Sequence, residues 1–227
     1  MGDRQLLTKL DWSVEYELAL KKLHVIEDDE EDFREIYDKT VQLIQPVAYI
    51  GKEDIVSNDG HTITIGDVSF TSRVVCVNLQ NNRTVYPYVC TSGRAAYEYA
   101  CSLRNDPLFE YWANMLCEFA LRSCMVSFNA FVRKYMNSEK IRSLNPGSVI
   151  DWPISQQVPL FELLGGVTEK TGIFLEKSFL MRPVKSSSGI YYTSEKHFTS
   201  CSLCSMQNCP NRRAAFDPEK FRQEYGE

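Results

Sequence analysis

One long helix constrains this chain more than any other feature. Asn105-Asp106-Pro107 supplies a cap and a first-turn proline, and the helix they open runs to about Tyr135. Leu108, Trp112, Met115, Phe119, Arg122 and Val126 recur along it at helical spacing, which marks a core stripe rather than a cofactor box. The rest of the chain must then cover that stripe. With 227 residues, 44% of them hydrophobic, there is material for one large domain or two small ones whose core needs no staples. The formal charge of −5 gives no basic footprint for nucleic acid. No apolar run opens the chain, and none reaches the ~18 residues of a membrane span. The expectation is a soluble, cytoplasmic protein that uses neither nucleic acid nor a membrane.

Ahead of the long helix, residues 12–23 and 31–45 carry apolar groups at i, i+3 and i+4, as in Phe33, Ile36, Tyr37 and Val41, and predict two amphipathic helices. The acidic run Glu27–Asp32 complements the N-terminus of the second, and Pro46 stops it. Strands follow at 47–50, toward Ile55, and at 62–65 after the Asp59-Gly60 turn. A hairpin is expected of 72–79 with 84–91, the first arm being a central strand covered on both faces. Ser92-Gly93 opens a helix over 94–103. Residues 143–153 read as a Gly/Pro loop, 155–164 as a short helix ending at Gly165-Gly166, 173–193 as two strands around RPVKSSSG, and 217–225 as a short polar helix. These elements divide into a helical segment (1–45), a core (46–195) and a Cys-rich tail (196–227).

Three segments carry chemistry. Cys201, Cys204 and Cys209 are spaced C-x2-C-x4-C, so their thiolates can converge on one iron–sulfur cluster or zinc ion, one ligand short of four. A distant cysteine, His197, water or substrate would complete the set; the plainer alternative is three reduced cysteines in a tail. The other five cysteines, Cys76, Cys90, Cys101, Cys117 and Cys124, lie in apolar patterns and read as buried thiols. Arg142-Ser-Leu-Asn-Pro146-Gly147-Ser148 is a turn that brings backbone close to a ligand, with a cation for a carboxylate. Met181-Arg-Pro-Val-Lys-Ser186-Ser-Ser188-Gly189 groups hydroxyls, Lys185 and a glycine that could cradle an anion or zwitterion. His24 and His61 read as surface or turn residues, and Arg212 and Arg213 as a solvated face or a contact for an anionic partner.

Taken in order, CTSGRAAYEYACSLRNDPLFEYWANMLCEFA, NPGSVIDWPISQQVPLFELLGG and MRPVKSSSGIYY resemble the activation domain of cobalamin-dependent methionine synthase over about residues 45–195. The likeness is strongest to small stand-alone bacterial forms with a Cys-rich tail. The S-x-S-G element, Ser186, Ser188 and Gly189 after M-x-P, carries most of it. The resemblance implies an α+β fold: a C-shaped single domain with a bent antiparallel sheet and helices packed on it. It further implies binding of S-adenosylmethionine and docking over a corrinoid ring, so that an oxidised cobalamin is reduced by one electron and remethylated.

Within the family's Arg-x-x-x-Gly-Tyr loop, Gly147 matches, while Ser143 and Ser148 stand at the arginine and tyrosine positions and Arg142 comes one residue early. The implied cofactor-binding set is Arg142, Pro146, Gly147, Ser186, Ser188 and Gly189, with Cys201, Cys204 and Cys209 for a metal. Implied partners are a corrinoid-binding protein or methionine synthase modules, with cobalamin reached through that partner and flavodoxin or ferredoxin as electron donor. An iron–sulfur tail would deliver the electron. The alternative is a non-catalytic module that docks on a corrinoid protein or completes a split methionine synthase, with structural zinc in the tail. No nucleophile–base pair is evident.

Overall fold

The computed structural model describes residues 2–149, 151–195, 200–204, 208, 212 and 214–226. In chain order the elements are β1 (Arg4–Leu7), α1 (Tyr16–Leu23), α2 (Glu30–Leu43), β2 (Val47–Gly51), β3 (Glu53–Asn58), β4 (Thr62–Ile65), β5 (Val68–Thr71), α3 (Arg73–Leu79), β6 (Thr84–Thr91) and α4 (Arg94–Ser102). They continue with α5 (Pro107–Met136), β7 (Ile141–Leu144), α6 (Gln157–Leu164), α7 (Val167–Thr171), β8 (Phe174–Leu175), β9 (Met181–Arg182), β10 (Ser186–Thr193) and α8 (Pro218–Tyr225). The architecture is α+β with an antiparallel sheet, as expected. Strand β6 is its centre. One edge of β6 pairs with β10, and the other is shared by β2 at residues 88–91 and β3 at residues 84–85, the chain turning between them.

Helix α5 is the rod that the sequence predicts. Asp106 caps it, its carboxylate accepting from the N–H groups of Leu108 and Phe109 at 3.0 and 3.2 Å. Its two halves do different work. The first half buries Trp112, Ala113 and Leu116 against Ala19, Leu23, Phe33, Ile36 and Ala100 of α1, α2 and α4, with Trp112 edge-on to Phe33 at 5.3 Å. The second half lays Leu121, Cys124, Phe128, Val132 and Met136 on Ile50, Tyr88, Cys90 and Tyr191 of the sheet. The expected stripe is therefore corrected: Trp112 is buried, but Leu108 and Val126 are exposed. A helix that is apolar around most of its circumference fits more than one periodic register, and tertiary packing selects one. By length and composition this helix is also apolar enough to cross a membrane, which the sequence reading did not anticipate; here it is the core helix of the fold.

The hairpin expected of residues 72–79 is a helix instead. Ser72 caps α3 by accepting from the Val75 N–H at 3.1 Å, and the Asp151 carboxylate accepts from the Val74 N–H at 2.8 Å. Val74, Val75, Cys76 and Leu79 are all buried. A short run buried all round reads equally as a central strand or a buried helix, and the two caps decide it. On this face of the sheet, α3 and α6 enclose a second core that includes Ile63, Phe70, Trp152 and Tyr192.

Candidate functional site

Strand β10 inserts between β6 and β7 and pairs with both. The serine-rich stretch expected as a loop is thus a strand: Ser186, Ser187 and Ser188 lie opposite Thr91, Cys90 and Val89. Turn-forming composition yielded to cross-strand pairing with β6. Where β10, the Pro146-Gly147 loop and β9 meet, a cleft of about 570 Å³ opens. Pro146, Ser186 and Ser188 line it, together with Ser143, Asn145, Ser148, Gln157 and Arg182.

Asn145 ties the cleft together. Its amide nitrogen donates to the Ser188 carbonyl at 2.6 Å and to the Tyr88 hydroxyl at 2.9 Å. The Ser188 hydroxyl donates to Gln157 Oε1 at 2.9 Å, and the Ser186 hydroxyl turns back to the Pro183 carbonyl at 2.7 Å. Beneath them Tyr88 and Tyr191 stack with centroids 4.3 Å apart. Burial pushes both phenols up, further aided at Tyr191 by its Tyr88 neighbour, so both rings are neutral at physiological pH.

Two expected ligand residues shape the cleft from behind. A Cβ on Gly189 would lie 2.3 Å from the Leu144 carbonyl and 2.6 Å from the Asn145 amide nitrogen, so only glycine lets β7 and its loop close on β10. Gly147 adopts φ +83° and donates its N–H to the Trp152 carbonyl at 2.8 Å, closing the loop. Arg142 departs from expectation. It pairs with Tyr192 across β7 and β10, whereas Ser143 pairs with Tyr191. Because side chains alternate along a strand, the one-residue offset puts Arg142 on the face opposite to Ser143, outside the cleft. Lys185 also turns away, toward Glu118 Oε2 at 3.4 Å.

Sequence reasoning missed Tyr88, Asn145, Gln157 and Arg182. Asn145 and Arg182 sit inside the two motifs it singled out, whereas Tyr88 and Gln157 reach the cleft only through long-range pairing and carry no local signal.

The described part of the tail is docked rather than loose. Leu203 and Tyr225 are buried in the core beneath α3, and the Tyr225 hydroxyl accepts from Asn78 Nδ2 at 3.1 Å. Arg212, expected as a solvated face, is half-buried and donates to the carbonyls of Cys201, Cys204 and Ala214 at 2.9–3.0 Å. Cys201 and Cys204 are half-buried; Cys209, His197 and Arg213 lie outside the described residues. Among the described residues no three metal-ligating side chains come together. Of the five thiols expected inside, Cys76, Cys90, Cys117 and Cys124 are buried and Cys101 is partly exposed.

The sequence matches no protein-family model and no curated protein. Its fold is similar to that of the MetH reactivation domain. The crystal structure of that domain bound to AdoHcy matches with a TM-score of 0.63, at 15% sequence identity, over 88% of this chain and 81% of its own.

Proposed function

We propose that this protein serves the reductive reactivation of a cobalamin-dependent methionine synthase, or of a related corrinoid methyltransferase, with the cleft at β10 receiving S-adenosylmethionine. The observation that carries this reading is the coincidence of two findings. The fold resembles a reactivation domain crystallised with AdoHcy, and the N-P-G-S and S-S-S-G motifs meet at one cleft. A volume of about 570 Å³ lies within the range of small-molecule sites. The lining of serine hydroxyls, amides and neutral tyrosines suits a nucleoside with one charged end. When bound, S-adenosylmethionine supplies a methyl group and leaves as S-adenosylhomocysteine. This chain's contribution is positioning: Pro146 and Gly147 fix the loop, Asn145 holds loop and strand in register, and Ser143, Ser148 and Gln157 present polar groups. At the mouth, Leu180 and Val184 are exposed, with Phe174 and Phe179 nearby on the β8–β9 hairpin. That apolar rim suits a corrinoid-binding partner that covers the cleft and excludes water.

In the same reading the cysteine tail handles the electron. The donors are thiols, which suit an iron–sulfur cluster or, as an alternative with only a holding role, zinc; Cys201 and Cys204 supply two and Cys209 the third. Calorimetric titration of the full chain with S-adenosylmethionine and S-adenosylhomocysteine tests the cleft. Saturable heat with both is expected, and no heat at about 1 mM ligand would overturn the assignment. An anaerobic, iron-replete preparation tests the tail by its visible spectrum. A colourless, iron-free protein would remove the electron-transfer role.

A further inference from the structure

Arg182 is the one residue with a formal charge among the described residues that line the cleft. It reaches the cleft from β9, immediately before Pro183 and the hydroxyl-bearing strand. Its Nε donates to Glu176 Oε1 at 2.8 Å, an ion pair whose side chains are 25% and 38% exposed. Among the described residues, no second side-chain hydrogen bond engages the Arg182 guanidinium, which leaves its two terminal nitrogens as a planar fork of donors. Glu176 keeps the guanidinium charged, its hydrogen bond holding the Arg182 pKa above its ordinary value, with Tyr97 and Cys101 as further neighbours. The two cations singled out by the sequence, Arg142 and Lys185, point elsewhere.

We infer that Arg182, braced by Glu176, is the anchor for the amino-acid end of the cleft's ligand: the guanidinium fork takes an α-carboxylate. This rests on the adenosylmethionine reading above and names the residue that would select a zwitterionic ligand over a plain nucleoside. A fork aimed at a carboxylate is worth a charge-assisted pair of hydrogen bonds, and a lysine in its place supplies the charge without the second parallel bond.

The test uses the full chain, Arg182→Gln and Arg182→Lys, titrated by calorimetry with S-adenosylhomocysteine and with 5′-methylthioadenosine, which lacks the amino-acid end. For S-adenosylhomocysteine, Arg182→Gln should weaken binding by about 10- to 100-fold, and Arg182→Lys should recover part of that loss. The affinity for 5′-methylthioadenosine should be unchanged in both, which also shows that the cleft is intact. If the wild type binds and Arg182→Gln binds S-adenosylhomocysteine equally well, the anchor is overturned while the cleft assignment stands. Equal loss of both ligands would make Arg182 a structural residue and overturn the anchor too. A wild type that binds neither ligand overturns the adenosylmethionine reading itself.

Discussion

The cleft at β10 and the cysteine tail are built by opposite strategies. The cleft is assembled from strands and loops far apart in sequence, and its polar groups satisfy one another: Asn145 with Ser188 and Tyr88, Ser188 with Gln157. The tail draws its candidate ligands from one short segment, and its ordering depends on docking, through Leu203 and Tyr225 in the core and Arg212 across the carbonyls of Cys201 and Cys204. In a cleft of the first kind, a change where the strands close on one another disturbs the sheet. A segment of the second kind can be detached while the sheet persists.

The largest expected effect tests the first half of that contrast. Gly189→Val drives a side chain into the Leu144 carbonyl and the Asn145 amide, where even a Cβ would sit at 2.3 and 2.6 Å. Because the obstacle is partly backbone, β7 has to move, and a loss of about 4 kcal/mol in urea denaturation is expected together with loss of ligand binding. A Gly189→Val protein of wild-type stability would mean that the β7–β10 closure is not what shapes the cleft.

The two regions also differ in how readable they were. Capping and periodicity announced α5, and Asp106 and Pro107 are found doing what their chemistry predicts. Several strands were legible for the same reason, since they depend on short-range pattern, whereas the α+β class came from the resemblance to the activation domain. What stayed hidden is set by long-range pairing. Val74 to Leu79 became a helix with Ser72 as its local cap and Asp151, distant in sequence, accepting from its first turn. The serine run became a strand because β6 was waiting to pair with it. Arg142 illustrates the sharpest limit: its identity and spacing were visible, but the face it occupies is fixed by a register shared with Tyr192, and a single residue of offset reverses it. In the tail, spacing was visible from the start, whereas the role of Arg212 as a backbone clasp depends on a turn that spacing does not reveal.

The next effect in size tests the second half. Tyr225→Ala empties a core position occupied by a residue only 4% exposed and leaves Asn78 without its partner in α8. A loss of about 2–3 kcal/mol is expected, concentrated in the docking of the tail. Limited proteolysis should then cleave near residues 200–226 in the variant while the calorimetric response of the cleft is retained. Simultaneous loss of cleft and tail would show that the two fold as one unit and erase the distinction drawn above.

The smallest effect compares the two regions through their thiols. Cys117 is buried beneath α4, and burial pushes its pKa up to about 12 against the opposing influence of Lys185 and Ser92. In the unfolded chain the same thiol ionises near its ordinary value, about 8.5. The folded pKa lies above the unfolded one, so the native state holds a proton that the unfolded state releases. The stabilisation is complete below about pH 8.5 and is lost as pH rises toward 12, at about 1.4 kcal/mol per pH unit for this group. Melting temperatures of the wild type should therefore fall between about pH 8.5 and 10, and Cys117→Ala should fall less steeply, whatever its stability at neutral pH. Cys201 and Cys204, in the tail, are half-buried, whereas Cys117 is buried. Parallel slopes for Cys117→Ala and the wild type would show that the thiol under α4 already meets solvent, which would open the interior of the sheet to the same chemistry as the tail.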